Sequence, residues 1–227
     1  MKELNMWMDN WVLNTPLNYW PLFKQNNTPA LFRFFETKKQ IVVLSSSNKA
    51  ETEANMEECE KAHVPILRRK GGGGTVVLGP GCLILTFAFY AKDVFSNSKY
   101  FNMINELWIQ SLQPFVPVTL SQKGISDICV GEKKIAGTSI FRKKHLLVYQ
   151  GSMLIDVNLE LISHLLSHPS KEPDYRQGRP HTEFLTTLKQ LGCTLSAEEL
   201  AFNCQKYFTL NMEKYFQEEF YSLPTSH

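Results

Sequence analysis

The sequence predicts an α+β fold: a single domain of mixed, mainly antiparallel sheets flanked by helices. Three observations lead there. Short runs rich in β-branched and aromatic residues recur between residues 30 and 156, separated by turn-forming residues. Residues 98–112 have helical spacing, with Phe101, Ile104, Leu107 and Trp108 on one face. Ser196-Ala197-Glu198-Glu199 has the form of a capping box that opens a C-terminal helix. Two clusters of strands with helices beside them form a two-layer core of this class. The 227 residues are ample for one domain, and no linker, repeat or low-complexity tract divides them.

Taken in order, residues 1–24 carry Trp7, Trp11 and Trp20, more aromatics than a free tail would hold. They are expected to be partly helical and packed onto the domain. Residues 26–29 read as a turn. Residues 30–36 and 40–44 read as strands paired around Thr37-Lys38-Lys39, and 45–48 as a polar loop. Residues 51–62 read as one acidic helix with Ala54, Met56 and Cys59 facing inward. Strands are expected at 75–78 and 82–91. Pro114 and Pro117 stop the long helix, and a strand is expected at 116–120. Residues 126–130 alternate as a strand, Gly131-Glu132-Lys133 turns the chain, and 134–141 and 146–156 continue the antiparallel pattern. Residues 159–166 form a short helix and 171–179 a charged turn. Helices follow at 181–191, from Ser196 through about Phe208, and at 211–220.

Composition excludes several classes. Hydrophobic residues make up 43% and charged residues 20%, with a net charge of +2, too mild for nucleic acid or an anionic membrane. The longest apolar run, near 82–91, is too short to span a bilayer. The N-terminus shows no basic segment followed by an apolar core, so no signal peptide is expected. Five cysteines, odd in number and without C-x-x-C, suit a reduced cytoplasm rather than a disulfide framework. The histidines lack zinc spacing, and no G-x-S-x-G elbow is present.

The informative stretch is Arg68-Arg69-Lys70-Gly71-Gly72-Gly73-Gly74-Thr75-Val76-Val77. Consecutive glycines cost backbone entropy and are useful where N–H groups must approach an anion closely. Two arginines add charge suited to phosphate or carboxylate. A flexible loop with solvated arginines is the competing explanation. The stretch is neither a Walker loop, which needs Gly-Lys-Ser/Thr, nor a dinucleotide fingerprint, which needs a following helix. Strand-forming residues flank these glycines, so a ligand would lie against a sheet. A second stretch runs through Lys134-Ile135-Ala136-Gly137-Thr138. There a lysine at a strand start can reach a ligand past a glycine, although lysines beside turns are usually solvated.

At these residues the chain resembles the lipoate–protein ligases, within the biotin/lipoyl ligase and octanoyltransferase superfamily. The hallmark is Arg-Arg, two variable residues, three glycines, a small residue and an apolar pair, matched by Arg68 to Val77. Lys134, Gly137 and Thr138 match the family's Lys-x-x-Gly-Ser, and Asp127 its preceding acidic residue. Arg142 stands where many relatives have arginine. Gln150-Gly151-Ser152 is similar to the family's His-Gly-Ser/Thr, with glutamine in place of histidine. Ser45 and Asn48 match a Gly-x-x-Gln segment inexactly. Many members follow the glycines with His-Asp-x-Gly-Asn, whereas this chain has Leu78-Gly79-Pro80-Gly81-Cys82, a Gly-Pro-Gly variant. Residues 173–181 are similar to a segment of that subgroup and carry no assigned role. The matches cover roughly residues 30 to 160.

The resemblance implies the biotin/lipoyl ligase catalytic fold, like that of class II synthetases, and two-step acyl transfer. Lipoate or octanoate would attack the α-phosphate of ATP, and a lysine of a carrier domain would take the acyl group. The carrier would be a dehydrogenase E2 or a glycine-cleavage H-type protein. Lys134 would bind the carboxylate and α-phosphate. Gly72, Gly73, Gly74, Thr75, Val76 and Val77 would cradle the adenylate, with Arg69 on phosphate. Gly137, Thr138 and Arg142 would contact substrate, and Mg²⁺ would bridge phosphates. Asp127 would either hold the metal or orient the incoming lysine. About 30 residues follow Ser196, so the chain is expected to be a catalytic domain without a C-terminal accessory domain, and a small accessory subunit is a candidate partner. The alternatives are a cysteine-dependent octanoyltransferase using acyl-carrier protein, a non-catalytic adenylate-binding relative, or biotin ligation. The regions where the transferases carry their cysteine, 116–122 and 164–173 here, contain none. Cys82 and Cys129 are expected to be buried small hydrophobes.

Overall fold

The structure is a computed structural model and describes residues 30–220. The tryptophan-rich segment and the turn expected at 26–29 lie outside the described residues.

Six strands form one antiparallel sheet in the order β1-β5-β9-β8-β7-β6. They are β1 (Ala30–Phe35), β5 (Cys82–Tyr90), β6 (Ser121–Lys123), β7 (Asp127–Val130), β8 (Lys133–Lys143) and β9 (Leu146–Leu154). A smaller sheet has the order β3-β2-β4, built from β2 (Ile41–Leu44), β3 (Ile66–Arg68) and β4 (Val76–Leu78). In it β2 runs parallel to β3 and antiparallel to β4. The helices are α1 (Ala50–Glu53), α2 (Met56–Lys61), α3 (Asn97–Leu112), α4 (Leu159–Leu165), α5 (His181–Phe184) and α6 (Ala197–Phe216).

β5 shows why the run from Cys82 is so uniformly apolar. Leu83, Leu85, Phe87 and Phe89 enter the core shared with α3 and α6, while Cys82 and Ile84 enter the core shared with the small sheet. A strand buried on both faces loses the apolar–polar alternation. Trp108 of α3 lies so close to β9 that a Cβ on Gly151 would come within 2.5 Å of its ring. α6 begins at the expected capping box, with the Ser196 hydroxyl accepting from the Glu199 amide and the Glu199 carboxylate accepting from the Ser196 amide. That device stabilises the helix by about 1 kcal/mol.

Several expectations are corrected. β1 and β2 do not pair: β1 joins β5 in the large sheet and β2 joins β3 and β4 in the small one. The acidic segment is two short helices, because Ala54 leaves the helix to bridge Leu166. The strand expected at 116–120 begins only at Ser121. The helix expected over 181–191 ends at Phe184, where Leu185 bridges Lys134 and Leu188 donates to Leu154 O. The last two expected helices are one, continuous to Phe216. The Gly-Pro-Gly turn is a tight crossing. Gly81 has φ 81° and its carbonyl accepts from Ile155 and Asp156, and a Cβ there would lie 2.2 Å from Asp156 O.

Candidate functional site

A cavity of about 550 Å³ opens between the two sheets. Its lining includes Gly73 to Leu78, Lys134 to Ser139 and Gln150 to Ser152, with Ile162, Leu166, Phe184 and Leu185 forming an apolar wall. Both stretches singled out in the sequence therefore face one space, brought there from different sheets.

The glycine loop joins β3 to β4, and each of these strands flanks β2. Added Cβ atoms at Gly72 and Gly74 would meet nothing within 4 Å, so the backbone there is open to approach. Gly73 has φ 96°, a left-handed conformation that favours glycine. The loop is held from within. Arg69, only 7% exposed, donates from Nη2 to the carbonyls of Gly72 at 2.7 Å and Gly74 at 2.8 Å. Burial pushes its guanidinium down to about 10. Arg69, expected to meet phosphate, lines the cavity, and its Nη2 buckles its own loop. Arg68 donates to the carbonyls of Ser45 and Asn48, and Asn48 donates to Thr75 Oγ1 at 3.1 Å. The polar loop at 45–48 is thus drawn against the glycines.

Lys134 lies near the start of β8, whose register against β7 shifts at Ile128/Cys129. Its Nζ is 2.7 Å from Asp127 Oδ1. The side chain lies along Gly137, where a Cβ would come 3.0 Å from Nζ, so that glycine clears the lane to the cavity. The other Asp127 oxygen, Oδ2, accepts from the Tyr175 hydroxyl at 2.7 Å. Thr138 Oγ1 donates to Ser126 O at 2.9 Å, tying β8 to the turn before β7. Arg142 is not among the residues lining the cavity. It donates to Asn97 Oδ1 at 2.9 Å and lies 5.3 Å from the Tyr100 ring, so its expected substrate contact is not supported.

Among the described residues, no three His, Cys, Asp or Glu side chains converge on a metal position. Both Asp127 oxygens already have partners, so this donor set does not fit Asp127 as a metal ligand. All five cysteines are buried, and burial pushes the Cys82 and Cys204 thiols up to about 12.

Sequence reasoning missed Glu53, at the end of α1, and the residues of the segment after α4. Glu53, 3% exposed, lines the cavity and accepts from the Ser170 hydroxyl and amide. His181 lines it too. Burial, and then the charges of Arg176, His168 and Lys134, push its imidazole down to about 4. Tyr175 had a signal, an aromatic amid charges, but its partner is 48 residues away.

Comparison with known proteins bears on the family and the fold. The chain is 23% identical over 225 residues to lipoate–protein ligase 1 of Plasmodium falciparum, covering 95% of this chain and 52% of that protein. It is 23% identical to octanoyltransferase LipM of Oceanobacillus iheyensis, covering 90% and 81%. The chain spans about half the length of the lipoate–protein ligases of P. falciparum and Staphylococcus aureus that it matches. Among solved structures, the bipartite lipoate protein ligase of Thermoplasma acidophilum, described with its E2 lipoyl domain, shares the fold. It has a TM-score of 0.69 at 22% identity, over 81% of this chain and 71% of that one. A lipoate-protein ligase A bound with ATP has a TM-score of 0.65 at 23% identity, over 81% and 73%. The family model of the lipoyl protein ligase A/B catalytic domain matches residues 3–209, and the chain belongs to that family.

Proposed function

We propose that this chain is a catalytic unit that activates lipoate or octanoate with ATP as the acyl-adenylate and passes the acyl group to a lysine of a carrier domain. The observation that carries this reading is one cavity shared by an open glycine loop, the Lys134–Asp127 pair and an apolar wall. Bringing a carboxylate to a polyphosphate requires fixed positive charge, and Lys134 supplies it where the two would meet. Backbone N–H groups of the glycine loop would hold the phosphate of the adenylate. Ile162, Leu166 and Phe184 would take the acyl chain and exclude water from the mixed anhydride. Mg²⁺ would come with the nucleotide and offset the charge of its phosphates. A dehydrogenase E2 or H-type domain is the proposed acceptor, and residues 1–227 act as one catalytic domain, with or without an accessory subunit.

A second reading, the cysteine-dependent octanoyltransferase, is favoured by the similarity to LipM over 81% of that enzyme's length. The buried thiols argue against it. One experiment separates the two. The purified chain is incubated with carrier protein and either ATP-Mg²⁺ plus lipoate, octanoate or biotin, or octanoyl–acyl-carrier protein alone, and the carrier is weighed by mass spectrometry. ATP-dependent acylation that survives Cys82→Ser and Cys129→Ser supports the ligase. Transfer without ATP, abolished by one of those variants, replaces it with the transferase. No modification in any arm refutes both.

A further inference from the structure

Tyr175 sits in the single-turn helix Asp174–Arg176, a segment to which neither stretch of the sequence reading assigned work. Its neighbours immobilise it. Arg179 donates from Nη2 to Tyr175 O at 2.9 Å and to Glu132 O at 3.0 Å, fastening the turn to the β7–β8 hairpin. Arg176 Nε lies 3.3 Å from Glu172, and Gln177 (φ 53°) and Gly178 (φ 72°) then carry the chain away. The Tyr175 ring packs 5.4 Å from that of Phe184, with Lys123 Nζ 5.6 Å from its centroid. Burial and the adjacent Asp127 carboxylate push its hydroxyl well above the ordinary phenol range, so it remains a donor.

The consequence concerns Asp127. One of its oxygens is held by Tyr175 at 2.7 Å and the other faces Lys134 Nζ at 2.7 Å, so the carboxylate cannot turn without breaking a bond. We propose that Tyr175 is a positioning residue of the reaction, acting through Asp127 to hold the Lys134 ammonium at the cavity. This rests on the acyl-adenylate reading for its catalytic consequence and on geometry alone for the three-residue chain.

The test compares Tyr175→Phe, Asp127→Asn and the double variant. Tyr175→Phe keeps the ring and its packing and is expected to melt with the wild type. Its kcat for adenylate formation should fall about tenfold with KM for the acyl substrate unchanged. Competitive acetylation of Lys134, read by peptide mass spectrometry, should be about threefold faster once its carboxylate partner is loosened. In the Asp127→Asn background the tyrosine change should have no further effect on either quantity. Lys134 labelling that is unchanged or slower in Tyr175→Phe would overturn the proposal, as would equal losses in both backgrounds. A wild type that forms no adenylate would refute the function proposed above, while the labelling comparison still decides the role of Tyr175.

Discussion

Replacing Arg69 with methionine separates a phosphate ligand from a loop buckle. Methionine keeps an apolar stem of similar length and removes the guanidinium. Two short charge-assisted bonds, to Gly72 O and Gly74 O, are lost, together with a longer one from Nη1 to Val43 O at 3.4 Å. At roughly 1.5–3 kcal/mol each the two short bonds contribute about 3–6 kcal/mol. Opposing this is the burial that lowers the guanidinium from 12.5 to about 10. Relieving it returns roughly 3 kcal/mol at about 1.4 kcal/mol per pKa unit. Gly72 and Gly74 are exposed, so their released carbonyls find water at little cost. The net expectation is a loss of up to about 3 kcal/mol, concentrated in the glycine loop. Urea unfolding measures the whole, and amide hydrogen exchange over residues 69–78 localises it. A variant with unchanged stability and loop protection, but much weaker nucleotide binding, would refute the buckle and restore Arg69 to phosphate.

Three other expectations follow from the same geometry. Lys134→Ala should stay folded, because a partly exposed pair is worth only about 0–1 kcal/mol, yet lose pyrophosphate release with lipoate and ATP; near-normal release would remove Lys134 from the chemistry. Gly151→Ala should destabilise by about 1–3 kcal/mol through the clash with Trp108, read from the urea midpoint, and a neutral change would show that the helix layer can shift. His181 has a folded pKa of about 4, below its ordinary 6.5, so the unfolded state binds the proton first and stability falls as pH drops from about 6.5 to 4. Linkage gives roughly 2 kcal/mol between pH 7 and 5, reduced to about 1 by solvent screening. His181→Gln should lose less stability than wild type over that interval; equal losses would place the proton elsewhere.

Where function depends on local backbone or on a side chain next to its own turn, the sequence was legible. The glycine loop, the Lys134 strand with its clearing glycine, the capping box at Ser196 and the long helix at 98–112 are contained in short windows. Their physical causes, a left-handed φ at Gly73, a lane along Gly137 and helical periodicity, act within a few residues. The strand pairing of residues 30–44 was misread because a turn between two strands suggests a hairpin, whereas β1 pairs with β5 in the large sheet and β2 with β3 and β4 in the small one, the two meeting through side chains such as Phe35 and Val43 in one shared cluster. The helix at 51–62 was misread because the bridge of Ala54 to Leu166 overrides local propensity.

The sequence by itself determined the α+β class, the apolar central strand, the open glycine backbone and the lysine that faces it. Only the tertiary structure decided that Arg69 grips its own loop, that Arg142 points to Asn97, that Glu53 of α1 and His181 line the cavity, and that Tyr175 meets Asp127. A guanidinium is the same donor to a phosphate or to a carbonyl, and a tyrosine hydroxyl suits any nearby carboxylate. Which acceptor it meets is set by the packing of chain segments 48 residues apart, as with Tyr175 and Asp127, and no local pattern encodes that distance.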